Sequence, residues 1–219
     1  IQMKKLSQSI AYDVQDGVAV LIADNPPVNA MSYHVRQGLV NGLRMAESDD
    51  EVQSVVVHCE GRTFFPGMDI TEFGKSNVPD AASIGEVIEA FEGAAKPVIA
   101  AIHGTALGGG LETALGCHYR VATPSAKLGL PEVKLGILPG AGGTVRLPRV
   151  LGVQKALEMM TSGNPISAGQ ALAGGLVDEI VEGDLLAGAL AFAKNVVSEN
   201  KPLVRIRDSA DKLEDAREN

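Results

Sequence analysis

Two carboxylates, Glu112 and Glu132, are the residues of this 219-residue chain best placed by type and spacing to do chemistry. They stand in the runs GTALGGGLETALGCHYR and LGLPEVKLGILPGAGGT, each among glycines. A glycine lets backbone come within hydrogen-bond distance of a ligand, because no Cβ intervenes. Two carboxyls sharing an apolar pocket titrate above their ordinary range, through desolvation and mutual repulsion, which suits proton transfer near neutral pH. Triple glycines also mark tight backbone packing without chemistry, and Glu132 alone reads equally well as a surface-loop residue. Two acids in separate glycine-rich elbows shift the balance toward function.

The elements around them explain how they would be held. Residues 98–103, VIAAIH, form an apolar run of strand length, and residues 110–116, GLETALG, have helical spacing. The glycines between are a strand-to-helix elbow. The first N–H groups of a helix lack internal partners and carry partial positive charge, so an oxyanion near Gly109 and Gly110 would be stabilised there.

Upstream, SIAYDV and GVAVLIAD flank Asp16-Gly17 as a hairpin, Ser32 has the character of a helix N-cap, and SVVVHC at 54–59 is a further strand. A helix is expected over 81–95, before Lys96-Pro97, and another over VQKALEMMTSG, with Val153, Ala156, Leu157 and Met160 on its apolar face and Gly163 as its stop. Met159 and Met160 fit core filling better than an acyl tunnel. Residues 73–82, FGKSNVPDAA, read as a connector, with a loop over the site as the alternative. Asp178 and Glu179 are expected to serve structure or surface. Strands alternate with helices, which is the α/β class.

At this point the chain resembles the crotonase superfamily, the enoyl-CoA hydratases and isomerases, over roughly residues 10–200. NPPVNAMS at 25–32 is similar to the family's first acyl-CoA loop, FFPGMDITEF at 64–73 to its F-x-x-G-x-D-I segment, and the two glutamate elbows follow in order. The resemblance implies a spiral of repeated β-β-α turns with two stacked sheets. It implies Glu112 and Glu132 as catalytic acids, the N–H groups of Met68 and Gly109 as an oxyanion hole, and substrate contacts from Pro27, Val28, Ala30, Gly67, Asp69, Ile70, Gly108 and Gly140. Isomerases of the family commonly keep only the second glutamate, so both together favour hydration of a trans-2-enoyl-CoA.

LGCHYRVA and PEVKLGILPGAGGTVRLPRVLGV look like the N-terminal module of multifunctional β-oxidation enzymes, with His118 where simple hydratases usually carry aspartate. That likeness implies added Δ3,Δ2-enoyl isomerisation and a covalently fused 3-hydroxyacyl-CoA dehydrogenase, where simple hydratases form homotrimers. It implies a cytoplasmic location in a bacterium, or a peroxisomal or mitochondrial one in a eukaryote. No cofactor is expected beyond the coenzyme A of the substrate. Residues 1–200 are expected as the core. Residues 201–219, ending in RIRDSADKLEDAREN, are expected as a charged linker or the start of an absent C-terminal helical region. Rival readings are another enzyme on this scaffold, an isomerase or thioester hydrolase, and a non-catalytic acyl-CoA-binding module.

Composition narrows the rest. A formal net charge of −8 argues against nucleic acid, whose phosphates need clustered cations. Arg62 and Lys75 are the cations nearest the FFPGMDI loop and candidates for the coenzyme A phosphates, though solvated surface charge explains them equally. Apolar stretches fall short of the ~20 residues of a membrane helix, and IQMKKLSQS lacks the apolar run of a secretory signal. Cys59 and Cys117 read as buried thiols, and His34, His58, His103 and His118 have no metal-binding spacing. GAGGT at 140–144 completes neither a phosphate loop nor G-x-G-x-x-G, and no G-x-S-x-G elbow occurs.

Overall fold

The computed structural model describes residues 3–74 and 81–214. In chain order come β1 (Lys4–Lys5), β2 (Ile10–Gln15), β3 (Val18–Ala23), α1 (Tyr33–Ser48), β4 (Ser54–Cys59) and a 3-10 turn at Ile70–Glu72. They are followed by α2 (Ile84–Gly93), β5 (Val98–Ile102), β6 (Thr105–Leu107), α3 (Gly109–Gly116), β7 (Tyr119–Ala122), β8 (Lys127–Gly129) and a second 3-10 turn at Glu132–Leu135. The last elements are α4 (Gly143–Leu151), α5 (Val153–Ser162), β9 (Ile166–Ser167), α6 (Ala168–Gly174), β10 (Glu179–Ile180), α7 (Leu185–Ser198), a 3-10 turn at Ile206–Asp208 and α8 (Asp211–Glu214).

Seven strands form one sheet in the order β1-β2-β3-β4-β5-β7-β10, antiparallel through β3 and parallel from β3 onward. A small sheet, β6-β8-β9, carries the second strand of each later turn. The repeat is then visible as β5-β6-α3 and β7-β8-α4, with one strand in each sheet. After β4 the second strand shrinks to a bridge, where Met68 pairs in parallel with Met31. This is the α/β class read from the sequence, with the spiral of two sheets that the family resemblance implied.

The inner strands β3, β4 and β5 are buried on both faces, which is why they read as nearly unbroken apolar runs. Alternate residues Leu21, Val57, Ala100 and Ile102 face α1, α2 and α3, where Leu39, Phe91 and Leu111 meet them. Val18, Val56, Ile99 and Val121 face the other way, onto Leu185, Ala189, Phe192 and Val196 of α7. The sheet is thereby clamped between helices, and the loops at the strand ends are free to build a site.

Several expectations change in detail. Ser32 does sit at the N-cap of α1 but its hydroxyl caps nothing. Glu72 replaces it, accepting the Tyr33 N–H at 2.8 Å and the Arg36 guanidinium at 3.1 Å. The helix expected over 81–95 begins only at Ile84, after a Ser83–Glu86 capping box. Helix α4 was not expected, because it contains Pro148, whose ring removes one N–H from the ladder of a nine-residue helix. Met159 lies in the core with Met160 packed against it, and Cys59 and Cys117 are buried. His118 is wholly buried, its Nδ1 accepts the Val98 N–H, and burial pushes its pKa down to about 4, so it is a neutral core residue. Asp178 accepts the Arg120 N–H at 2.7 Å and is structural.

In the stretch 201–214, Ile206 is buried, and Lys212 donates to the carbonyls of Val150 at the end of α4 and Gly174 at the end of α6. Among the described residues, no helix is long and apolar enough to cross a membrane.

Candidate active site

The expected elbow is present, and each glycine of the triplet has its own reason. Gly108 has φ of 52°, a conformation that side chains rarely adopt. Gly109 opens α3, and a Cβ there would lie 2.6 Å from Ile84 Cδ1 and 3.1 Å from Met68 Cγ. Gly110 runs against a neighbouring backbone, and a Cβ would collide with the Phe65 carbonyl oxygen. The elbow is fixed from below by the Gly108 N–H, which donates to the Gly129 carbonyl at 3.0 Å, and by the Leu107 N–H, which donates to Phe65 at 3.1 Å.

Met68 faces this elbow across the cavity because the Met31 N–H donates to Gly67 and holds that segment in register. Among the described residues, no acceptor takes the N–H of Met68 or of Gly109. Two unpaired donors at a helix start and an adjoining loop form the type of site that stabilises an oxyanion.

Glu112 lies on the first turn of α3 and is 3 % exposed. Its Oε1 accepts two N–H groups, from Ala141 and Gly143, each at 2.8 Å. Burial raises its pKa; the two N–H donors and the Arg146 charge pull it back. Glu132 opens the second 3-10 turn and is 8 % exposed, and its Oε2 has no partner. Burial raises its pKa too, and the Glu112 charge adds to the rise. Both carboxyls thus titrate above the ordinary glutamate range; the charged form of Glu112 is favoured by its two N–H donors, whereas the free oxygen of Glu132 has none.

The two carboxyls open on one cavity of about 260 Å³, lined by Met68, Gly109, Gly67, Gly108, Gly140 and Ala141, and by the apolar side chains of Ile70, Phe73, Ile84, Leu135, Ile137 and Leu138. Of the residues expected to contact substrate, Gly67, Ile70, Gly108 and Gly140 line it. Pro27, Val28, Ala30 and Asp69 do not. The first three lie on the adjoining loop that ends at Met31, held by Asn29, whose Nδ2 donates to the carbonyls of Glu60 and Thr63. Asp69 turns its carboxylate back on Thr71 instead. Arg62 is exposed and does not line the cavity, and Lys75 lies outside the described residues, as do 75–80 of the expected connector. Larger pockets exist elsewhere, but the acids on them, Glu47, Glu86 and Glu89 in one and Asp24 and Glu60 in another, are exposed to solvent.

The residues that sequence reasoning missed are the donors to Glu112. Ala141 and Gly143 lie 29 and 31 positions away from it, and only the GAGG run before α4 hinted at an exposed set of N–H groups. The apolar wall from Ile84, Phe73, Leu135, Ile137 and Leu138 was also unread, since single apolar residues in loops, short turns and at a helix start carry no periodic signal.

A raised carboxyl pKa in the folded state has a consequence for stability. As pH rises past the ordinary glutamate range, the unfolded chain releases its proton first, so folding is progressively disfavoured up to the raised folded value. Glu132→Gln removes that penalty. Its melting temperature should exceed the parent's at pH 7.5 by a few degrees and match it near pH 4, where both carry a neutral group. A thermal melt at the two pH values checks this.

Comparison with known proteins agrees with the geometry. Residues 13–214 match the family model described as enoyl-CoA hydratase/isomerase. A glyoxysomal fatty acid beta-oxidation multifunctional protein of Cucumis sativus is 45% identical over 91% of this chain, which spans 29% of that protein's length. A peroxisomal bifunctional enzyme of Danio rerio is 49% identical over 87% of the chain and 26% of its own length. A probable enoyl-CoA hydratase of Bacillus subtilis is 48% identical over 77% of the chain and 67% of its own length. Among solved structures, an enoyl-CoA hydratase from Bacillus anthracis superposes with a TM-score of 0.80 at 35% identity, over 87% of this chain and 77% of its own. With its spiral of two sheets, its paired buried glutamates and a match along nearly its whole length, the chain belongs to the enoyl-CoA hydratase/isomerase family.

Proposed function

We propose that this chain is an enoyl-CoA hydratase, adding water syn across the double bond of a trans-2-enoyl-CoA in fatty acid β-oxidation. The observation that carries the reading is the convergence of Glu112 and Glu132 on one apolar cavity beside the unpaired N–H groups of Met68 and Gly109.

The thioester oxygen takes both N–H donors and gathers charge as the reaction proceeds. Glu112, aimed by two N–H groups, accepts a proton from water while the water oxygen bonds to Cβ. Glu132 delivers its proton to Cα. Solvent exchange restores the starting protonation between turnovers. Removing one donor of such a hole costs about 2.7–4 kcal/mol of transition-state stabilisation. Because the donors are backbone, Met68→Leu should leave hydration largely intact.

A second activity, Δ3,Δ2-enoyl isomerisation, is supported by the free Oε2 of Glu132, which in the ionised carboxylate can take a proton at one carbon and return it at another. Similarity to multifunctional proteins supports a role as the hydratase module of a longer enzyme that also carries a 3-hydroxyacyl-CoA dehydrogenase, in a peroxisome, mitochondrion or bacterial cytoplasm. A trimer of separate chains is the other arrangement.

The test is loss of the conjugated absorbance of crotonyl-CoA, run beside binding of butyryl-CoA. Turnover supports the hydratase reading. Binding without turnover would replace it with a non-catalytic acyl-CoA module, and release of free thiol would replace it with a thioester hydrolase.

A further inference from the structure

Glu92 and Arg146 form a buried ion pair outside the cavity. Arg146 Nε donates to Glu92 Oε1 at 3.0 Å and Nη2 to Oε2 at 2.7 Å, and the side chains are only 6 % and 4 % exposed. Arg207, from the 3-10 turn before α8, places its Nε 2.9 Å from the same Oε2. Desolvating the two charges of the pair is expensive, and apolar residues of equal volume are often as stabilising, so stability alone is a weak reason for it.

Position supplies a better one. Glu92 is the penultimate residue of α2, and Arg146 lies on the first turn of α4, its own N–H bonded to the Gly142 carbonyl at 3.0 Å. Gly142 stands between the two residues whose N–H groups hold Glu112. The Arg146 guanidinium lies directly against it, where any Cβ would collide with Nη1, and Gly142 takes φ of 95° to allow this. The bidentate pair fixes the guanidinium in plane and direction, as a single contact would not.

We infer that the Glu92–Arg146 pair is a positioning device for the catalytic base. By bracing the Ala141–Gly143 backbone against α2, it holds the two N–H donors that aim Glu112 at the cavity. Arg207 brings the stretch after α7 into the same brace. The inference rests on the reading of Glu112 as the base in hydration. It assigns to Glu92 and Arg146 an effect on hydration that isomerisation, which uses Glu132, does not share.

The experiment compares Arg146→Met, Arg146→Lys, Glu92→Gln and Glu112→Gln with the parent, each confirmed as folded by thermal melt. Crotonyl-CoA hydration is measured as kcat and KM, and isomerisation with a 3-enoyl-CoA. Arg146→Met should lower hydration kcat by roughly 30- to 100-fold, the loss that follows a displacement of about 1 Å. KM should stay within about twofold, and isomerisation should fall by less than about threefold. Arg146→Lys should recover part of the loss, since it restores one charged contact to Glu92. Hydration unchanged in folded Arg146→Met, or hydration and isomerisation falling together, overturns the inference.

Should Arg146→Met fail to fold, Glu92→Gln decides. It keeps volume and one acceptor, and unchanged hydration kcat in that variant overturns the inference equally. Glu112→Gln separates the two layers. If it keeps full hydration, the base assignment falls and the positioning role falls with it. If it loses hydration while the Arg146 and Glu92 variants do not, only the positioning role falls.

Discussion

Glu132→Gln and Glu112→Gln should each lower the hydration kcat for crotonyl-CoA by roughly 10²- to 10⁴-fold, the range of a positioned general acid or base. KM should change little, because neither carboxyl supplies most of the binding surface of the apolar cavity. Both substitutions are structurally mild. A glutamine at 112 keeps a carbonyl oxygen to accept the Ala141 and Gly143 N–H groups, so the elbow before α4 stays in place and only the charge is lost. A glutamine at 132 breaks no bond at Oε2, which has no partner. Steady-state kinetics on the two variants check the expectation. A loss of binding in place of turnover would mean that the carboxyls recognise substrate and do not react with it.

Gly110→Ala should be the most damaging single methyl in the site. Its Cβ would collide with the Phe65 carbonyl oxygen and lie 2.6 Å from the Phe65 carbonyl carbon. That backbone cannot give way, because Phe65 is fully buried and its carbonyl accepts the Leu107 N–H. Helix α3 must move instead, carrying the Gly109 N–H and Glu112 with it. Overpacking of this type costs about 3 kcal/mol at the upper end of its range, and a shift of about 1 Å at the site costs a further 10²-fold in rate. Chemical denaturation and crotonyl-CoA turnover measure the two effects separately. A variant of parental stability and rate would show that the elbow has room that the packing denies.

What could be read from the sequence was local. The Asp16-Gly17 hairpin, the strand read at 98–103 and found at Val98–Ile102, and the elbow at Gly108–Gly110 each depend on neighbouring residues, and all three stand within a residue of where the sequence puts them. The small sheet was not legible, since β6 and β8 are three residues long and β9 two, too short for alternation to register. Ser32 stands at the expected N-cap position, but the side-chain acceptor at the start of α1 is Glu72, from a distant turn, on the Tyr33 N–H. The same limit applies to the site. The two glutamates were visible as acids among glycines, but what distinguishes them was not. The donors to Glu112 come from about thirty residues away, and the brace behind them joins Glu92 to Arg146 across 54 positions. Such pairings exist only once the chain has folded.

The central claim is that the two carboxyls work on one substrate as a unit. Its most direct test is the hydration kcat of the parent, the two single glutamine variants and the chain carrying both. Groups that act together are non-additive, so the double variant should be no worse than the weaker single variant by more than about tenfold. Losses that multiply would contradict the claim, because they would mean that each glutamate contributes without the other.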